Sequence, residues 1–281
     1  GKLRDMAGMG AKSEAKILEG IESYKRRAAN TRIRLGDALP TAESILSRLM
    51  ALPGVLKGEI AGSIRRGKPT IGDVDLLVAS YDAKPIMDTF VTLPEVSRVL
   101  GHGDTKSSIE THSGLQVDLR VLAPERWGTA IQYFGGSQAH NIHTRELALQ
   151  QGYSLNEHAL TPVNGGDPLL FDSEEALYEF LGLQWVPPEI REDWGEIEAA
   201  QAKKIPTLIT INNIRADLHM HTTWSDGKLS IREMAEAAIK RGREYICITD
   251  HSKNATIANG LSVERLLAQR EEIRRVDAEL H

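Results

Sequence analysis

Residues 73–78, Asp-Val-Asp-Leu-Leu-Val, constrain this chain more than any other stretch. Side chains alternate faces along a strand, so Asp73 and Asp75 point one way while Val74 and Leu76 point into a core. Two carboxylates a few ångströms apart repel unless a divalent cation sits between them, and hard oxygen ligands favour Mg²⁺ or Mn²⁺. Just upstream lies Gly62-Ser63-Ile64-Arg65-Arg66-Gly67. There Gly62 lets the backbone approach a phosphate, Ser63 adds a hydroxyl donor, and Arg65 and Arg66 add positive charge. A metal beside a phosphate grip is the chemistry of nucleotidyl transfer.

The neighbouring segments supply a fold for that strand. Residues 41–52 predict a helix ended by Pro53-Gly54, and residues 84–92 a second one. Strands are expected over 57–61, 73–79, 96–100 and 115–121, giving a small mixed sheet with helices on one side. Gln116-Val117-Asp118-Leu119-Arg120 brings a third acid on a strand, so Asp73, Asp75 and Asp118 can converge on one site. Lys106 reads as a surface lysine. Residues 124–182 turn more helical and contain Tyr133-Phe134-Gly135-Gly136-Ser137-Gln138-Ala139-His140-Asn141-Ile142-His143-Thr144-Arg145. Residues 183–206 are acidic, carry Pro187, Pro188 and Pro206, and read as a linker with at most one short helix.

At the start, Gly8-Met9-Gly10 between two helical patterns reads as a helix-hairpin-helix turn. Such a turn offers backbone N–H groups to a phosphate, and Lys12 and its neighbours add charge. At the other end, Asp217-Leu218-His219-Met220-His221 is a strand ending in His-x-His, and Ser225-Asp226-Gly227 follows as a turn. Ser230 and Glu233 form a capping box for a helix closed by Gly242, and a second strand, 245–249, ends in Asp250-His251. Strand–helix–strand with polar residues at the strand ends is how (β/α) barrels place their sites. His219, His221, Asp226 and His251 make a ligand set for Zn²⁺, Mn²⁺ or Fe²⁺.

The net charge is −5, but its distribution says more. Residues 1–36 hold nine Lys/Arg against four Asp/Glu, and residues 172–200 hold one Arg against nine Asp/Glu. Any polyanion contact is therefore expected toward the N-terminal side. The single cysteine, Cys247, reads as a buried strand residue, and a chain with one cysteine suits a reducing cytoplasm. No apolar run approaches the ~18 residues of a membrane span. Both ends read as cuts in a longer protein: the chain opens on Gly1 and closes on a polar helix without a following partner.

In this order the motifs resemble the family X DNA polymerases of bacteria, followed by the start of a polymerase-and-histidinol-phosphatase (PHP) domain. The resemblance implies an α+β chain: helix-hairpin-helix fingers over 1–36, a nucleotidyltransferase palm over 37–123, an α+β thumb over 124–182, a linker over 183–214 and a partial PHP barrel over 215–281. It implies that Asp73 and Asp75 hold two Mg²⁺ or Mn²⁺ ions and that Asp118 holds the one at the primer terminus. Gly62, Ser63, Arg66 and the Gly72 backbone would grip the β- and γ-phosphates. Tyr133 and Phe134 would line the sugar pocket, Asn141 the minor-groove edge of the incoming base, and Arg145 the template. Gly8, Gly10 and Lys12 would track the DNA backbone, and the PHP ligands would hold Zn²⁺ or Mn²⁺.

The expected partners are gapped or primer–template DNA and deoxynucleoside triphosphates, with a monomeric chain. Two positions depart from the family. Gly135 stands where the family often has Thr, which would loosen the turn beside the sugar, and Gln116 stands where eukaryotic members carry Arg. The alternatives are a metal-dependent nuclease or phosphatase working through the PHP residues, a template-free transferase and a non-catalytic DNA-binding module.

Overall fold

The computed structural model describes residues 10, 14, 17 and 18 and residues 32–280. The helix-hairpin-helix expectation, with Gly8 and Lys12, falls almost entirely outside these residues. The chain divides into two compact units, residues 1–206 and 207–281.

In the first unit, a short strand β1 (Ile33–Arg34) pairs antiparallel with β3 (Thr70–Ile71). Helix α1 spans Leu35–Met50. It begins six residues before the expected start and carries Pro40, whose ring nitrogen forgoes the bond to the carbonyl of Gly36. Ala38, Ala42, Ile45 and Leu49 recur at helical spacing and are fully buried.

Among the described residues, five strands form a mixed sheet in the order β2-β4-β7-β6-β5. They are β2 (Lys57–Ile60), β4 (Asp73–Ala79), β5 (Val96–His102), β6 (Lys106–Thr111) and β7 (Gln116–Leu122). Only β4 and β7 run parallel. The sequence reading missed β6, because its Lys-Ser-Ser start lacks the apolar alternation of a strand.

One face of the sheet offers Val74, Leu76, Val78, Ile109, Val117, Leu119 and Val121 to α1 and to α3 (Lys84–Phe90); the one-turn helix α2 (Gly62–Arg65) lies between β2 and β3. On the opposite face, Leu77 and Ala79 pack on Trp127, Ala130 and Ile131 of α4 (Trp127–Gly135). Helices therefore cover one face fully and the other in part. On that second face, β4 is apolar where α4 covers it and acidic, at Asp73 and Asp75, where it does not.

The sheet is followed by α5 (Gln138–Gln150), whose N-terminus is capped by Ser137 accepting from the His140 N–H at 3.1 Å. A hairpin of β8 (Tyr153–Leu155) and β9 (Leu160–Pro162) and a helix α6 (Glu174–Phe180) come next. The segment expected as a linker is part of this layer. Leu183, Val186, Ile197 and Ala200 are buried against Leu177 and Tyr178, and α7 spans Glu196–Gln201. Pro188 opens a 3₁₀ turn, Pro188–Ile190, that delivers Arg191 into the core with no exposure. The prolines shape a packed turn here; they do not mark a spacer.

In the second unit, β10 (Ala216–Met220) runs parallel to β11 (Tyr245–Ile248), joined through α8 (Ile231–Lys240). The expected capping box is present: Ser230 accepts from the Glu233 N–H, and Glu233 accepts from the Ser230 N–H. Gly242 closes the helix with φ +69°. A last helix, α9, spans Val263–Leu280. Cys247 is exposed, against expectation, because β11 pairs only with β10 among the described residues and its outward face is left uncovered. No helix of the described residues is long and apolar enough to cross a membrane.

Candidate active site

The parallel register of β4 and β7 sets Asp75 directly beside Asp118 and Asp73 beside Gln116. Neighbouring strands lie about 4.8 Å apart, so three carboxylates share one small patch of the sheet's second face. Asp75 and Asp118 are half-buried and Asp73 is exposed. Burial first, then the charges of Asp73 and Asp118, push the Asp75 carboxyl up to about 6, against the opposing pull of Arg120 and Lys106. Asp118 accepts from Gln116 Nε2 at 2.8 Å and pairs with Lys106 Nζ at 3.3 Å. Lys106 is therefore no idle surface lysine: β6 carries it over the acidic patch.

Gly62 opens α2 with φ +60°, and a Cβ there would fall 2.3 Å from Asp75 Oδ2. Only glycine fits that backbone and that approach. The Ala61 N–H donates to the Asp75 carbonyl at 2.8 Å, which ties the turn to the acidic strand. A polar cleft of about 360 Å³ results, lined by Arg32, Gly62, Ser63, Arg66, Gly72, Asp73, Asp75, Tyr133, Phe134 and Gly136. Tyr133 and Phe134 meet edge to face at 5.1 Å, and the Arg120 guanidinium lies 4.5 Å over the Phe134 ring.

The two arginines part company. Successive residues on a helix project about 100° apart, so Arg66 faces the cleft while Arg65 turns to α6. There Arg65 donates to both oxygens of Glu174, at 3.0 and 2.8 Å. Arg191 donates to the same carboxylate at 2.9 Å and Trp185 Nε1 at 2.8 Å. Burial raises the Glu174 carboxyl, but Arg65 and Arg191 outweigh it and hold it at about 2. Arg65 thus contributes to a buried ion cluster and not to a phosphate grip. Gly135 belongs to the same cluster: a Cβ there would sit 2.7 Å from Arg65 Nη1 and 3.2 Å from Arg191 Nη1. It ends α4 and makes room for two guanidinium groups.

Asn141 and Arg145 stand outside the cleft lining, one turn apart on α5. Asn141 Nδ2 donates to the Tyr133 carbonyl at 2.6 Å, and Arg145 is exposed. The Gly10 carbonyl accepts from the Glu14 N–H at 3.0 Å, and a Cβ on Gly10 would meet nothing within 4 Å. Sequence reasoning missed Arg32, which donates to Thr70 Oγ1 at 2.8 Å and lines the cleft. No local motif marks it; the β1–β3 pairing brings it there.

In the second unit, ligand atoms of His221, Asp226 and His251 lie within 4.8 Å of one another. His221 Nδ1 bonds Asp226 Oδ1 at 2.9 Å, a bond that lowers the Asp226 pKa. His219 remains outside this group, its ring stacked on His221 at 5.3 Å. The two rings lie within 24° of parallel, so His-x-His does set both imidazoles on one side, although the β10–β11 pairing shifts between Asp217 and Met220. Asp250 accepts from the Thr222 N–H at 2.7 Å and from the Thr222 and Ser225 hydroxyls, which fixes the loop that carries Asp226.

The DNA polymerase beta thumb family matches residues 130–192, and the PHP domain family matches residues 217–274. The DNA polymerase/3'-5' exonuclease PolX of Bacillus subtilis (strain 168) is 39% identical over 280 residues, 99% of this chain and 48% of that protein. DNA polymerase lambda of Rattus norvegicus is 32% identical over 163 residues, 47% of this chain and 28% of that protein. DNA polymerase lambda of Arabidopsis thaliana is 27% identical over 183 residues, 53% of this chain and 34% of that protein. The chain spans about half the length of the Bacillus relative and less of the other two. A thumb match and a PHP match in this order, with a likeness to PolX over 99% of this chain, are consistent with a family X DNA polymerase that carries a PHP domain.

Proposed function

We propose that the first unit adds deoxynucleotides to a primer 3′-hydroxyl opposite a DNA template, in filling short repair gaps. The observation that carries this reading is Asp75 level with Asp118 on adjacent parallel strands, facing the Gly62–Ser63 turn. Three clustered carboxylates, one pushed up to about 6, make a donor set of hard oxygen ligands that fits Mg²⁺ or Mn²⁺. Asp73 and Asp75 would hold two ions, and Asp118 the one beside the primer terminus. Bound there, a divalent ion lowers the pKa of the attacking hydroxyl and neutralises charge on the leaving pyrophosphate.

The chain's own groups do the rest. The Ser63 hydroxyl, the Gly72 N–H and Arg66 take the phosphates, and Arg32 adds a second guanidinium from across the cleft. Tyr133 and Phe134 flank the sugar. Asn141 leaves the Tyr133 carbonyl to meet the minor-groove edge of the incoming base, and Arg145 meets the template. Gly8, Gly10 and Lys12 contact the DNA backbone. The polymerase names of the relatives support this reading.

The second unit favours a second activity in the full-length protein, metal-dependent 3′→5′ exonuclease or phosphatase chemistry. His221, Asp226 and His251 supply a mixed nitrogen and oxygen set suited to Zn²⁺ or Mn²⁺. We place the protein in the cytoplasm, as a monomer.

The test is extension of a primer in a gapped duplex with Mg²⁺ or Mn²⁺. Asp75→Asn and Asp118→Asn are each expected to abolish addition, whereas His221→Ala leaves it intact and weakens Zn²⁺ binding. Extension that survives either aspartate change would refute the assignment.

A further inference from the structure

We propose that Glu192 is a positioning residue of the nucleotide cleft, whose carboxylate aims the Arg66 guanidinium at the phosphates of an incoming nucleotide. This deepens the polymerase reading of the cleft and rests on it. Arg66 and Glu192 are 126 residues apart in the chain, and their side chains are each only 13% exposed. Arg66 Nε donates to Glu192 Oε1 at 2.8 Å, and Arg66 Nη1 donates to the Gly136 carbonyl at 3.1 Å. A guanidinium is a rigid planar fork with five N–H donors. Two of them are held by acceptors of the protein itself, which fixes the plane and leaves the others to a ligand.

The placement of the carboxylate separates aiming from competition. Arg66 and Gly136 line the cleft together with Ser63, Gly72 and Asp73, whereas Glu192 does not line it. The carboxylate therefore braces Arg66 from outside the cavity and leaves the phosphate position open.

It also solves a charge problem. Lys68 Nζ lies 2.8 Å from the same Glu192 oxygen, so one carboxylate stands between two cations that would otherwise repel. The trio keeps a net positive charge, which a polyphosphate needs, while the guanidinium stays still. Preorganised donors of this kind bind without a reorganisation penalty at the moment of contact. The Gly136 carbonyl alone would leave Arg66 a single brace.

The experiment uses the full chain in single-nucleotide gap filling, with calorimetric binding of inorganic tripolyphosphate as a second readout. Glu192→Ala is expected to raise the KM for the nucleotide about tenfold with kcat within about twofold, the pattern of a lost binding interaction shared by ground and transition states. Tripolyphosphate binding, which involves neither base nor sugar, should weaken by a similar factor. Glu192→Gln keeps an oxygen toward Arg66 and should recover most of the loss.

Arg66→Ala and Arg66→Ala with Glu192→Ala should be equally impaired, because the brace has nothing left to aim. The proposal is overturned if Glu192→Ala leaves KM and tripolyphosphate affinity within about twofold of wild type. It is also overturned if Glu192→Ala lowers kcat and melting temperature at unchanged KM, or if the two losses add. A wild-type chain that neither extends a primer nor binds tripolyphosphate would instead bring down the polymerase reading, and this assignment with it.

Discussion

Asp75 carries a conflict that the fold does not resolve by itself. Its carboxyl is partly withdrawn from water beside two other acids, and it titrates at about 6 where an ordinary aspartate titrates at 3.8. Below the ordinary value, both folded and unfolded chains are protonated there. Between the two values, the folded chain holds a proton that the unfolded chain has released, so stability falls as pH rises through that window. At neutral pH the full penalty applies, about 3 kcal/mol from roughly 1.4 kcal/mol per pKa unit. Asp75→Asn removes the charge and keeps the shape. In metal-free buffer at pH 7.5 its melting temperature is expected to rise by about 5–10 °C for a unit of this size. The gain should shrink toward zero as the pH is lowered to about 4. A variant that melts at or below wild type at neutral pH would show that the carboxylates are not strained. Loss of extension alongside higher stability is the trade expected of a residue kept for its chemistry.

The element that needs most explaining is α2, a single helical turn that no isolated peptide would hold. It is fixed from two sides, by the Ala61–Asp75 backbone bond and by the Arg65–Glu174–Arg191 cluster. Breaking a buried ion cluster by removing one partner is costly, because the remaining charges stay buried. Glu174→Gln should therefore destabilise the first unit by about 3–5 kcal/mol in urea unfolding at pH 7. The sign with pH is opposite to that of Asp75. The Glu174 contribution is present above the ordinary glutamate value of 4.5 and disappears as the pH falls toward about 2. Wild type and Glu174→Gln should thus converge at low pH, and a gap that stays constant down to pH 2.5 would contradict the cluster's role. The same elements mark what could be read from local sequence. β7 announces itself by strict alternation and β4 by an Asp-Val-Asp start running into four apolar residues, and with them come the three aspartates. β6 does not, since its buried positions include Ser107 and Thr111, which carry no apolar signal. Residues 183–206 mislead because their acids look solvated. Their partners lie far away in the chain, Arg66 being 126 residues from Glu192, and local composition does not register such pairs. The helical phase that sends Arg65 and Arg66 to different neighbours is likewise invisible until α2 is known to be a single turn.

Over the whole molecule, the raw charge count overstates the acidity that DNA would meet. Of the acids in residues 172–200, Glu174 is neutralised by Arg65 and Arg191 and Glu192 by Arg66 and Lys68. Glu196, held at about 2 against its own burial by His140 and backbone N–H groups, bonds the buried His140 at 2.6 Å, and Asp193 bonds His143 at 2.7 Å. Four of the nine acids in that stretch are thus paired within the fold, and the basic start of the chain and Arg145 are the phosphate partners we propose. DNA binding should then behave as counterion release. Each phosphate contact lowers affinity about 3.5-fold between 50 and 200 mM salt, so even two contacts give roughly a tenfold loss. Arg145→Ala should weaken binding to all sequences alike and reduce the slope of log affinity against log salt by about one. The measurement is fluorescence anisotropy with a gapped duplex across that salt range. A flat salt response in wild type would remove the case for phosphate contacts altogether. An unchanged slope in Arg145→Ala would place the DNA on another face of the molecule, even if extension activity were intact.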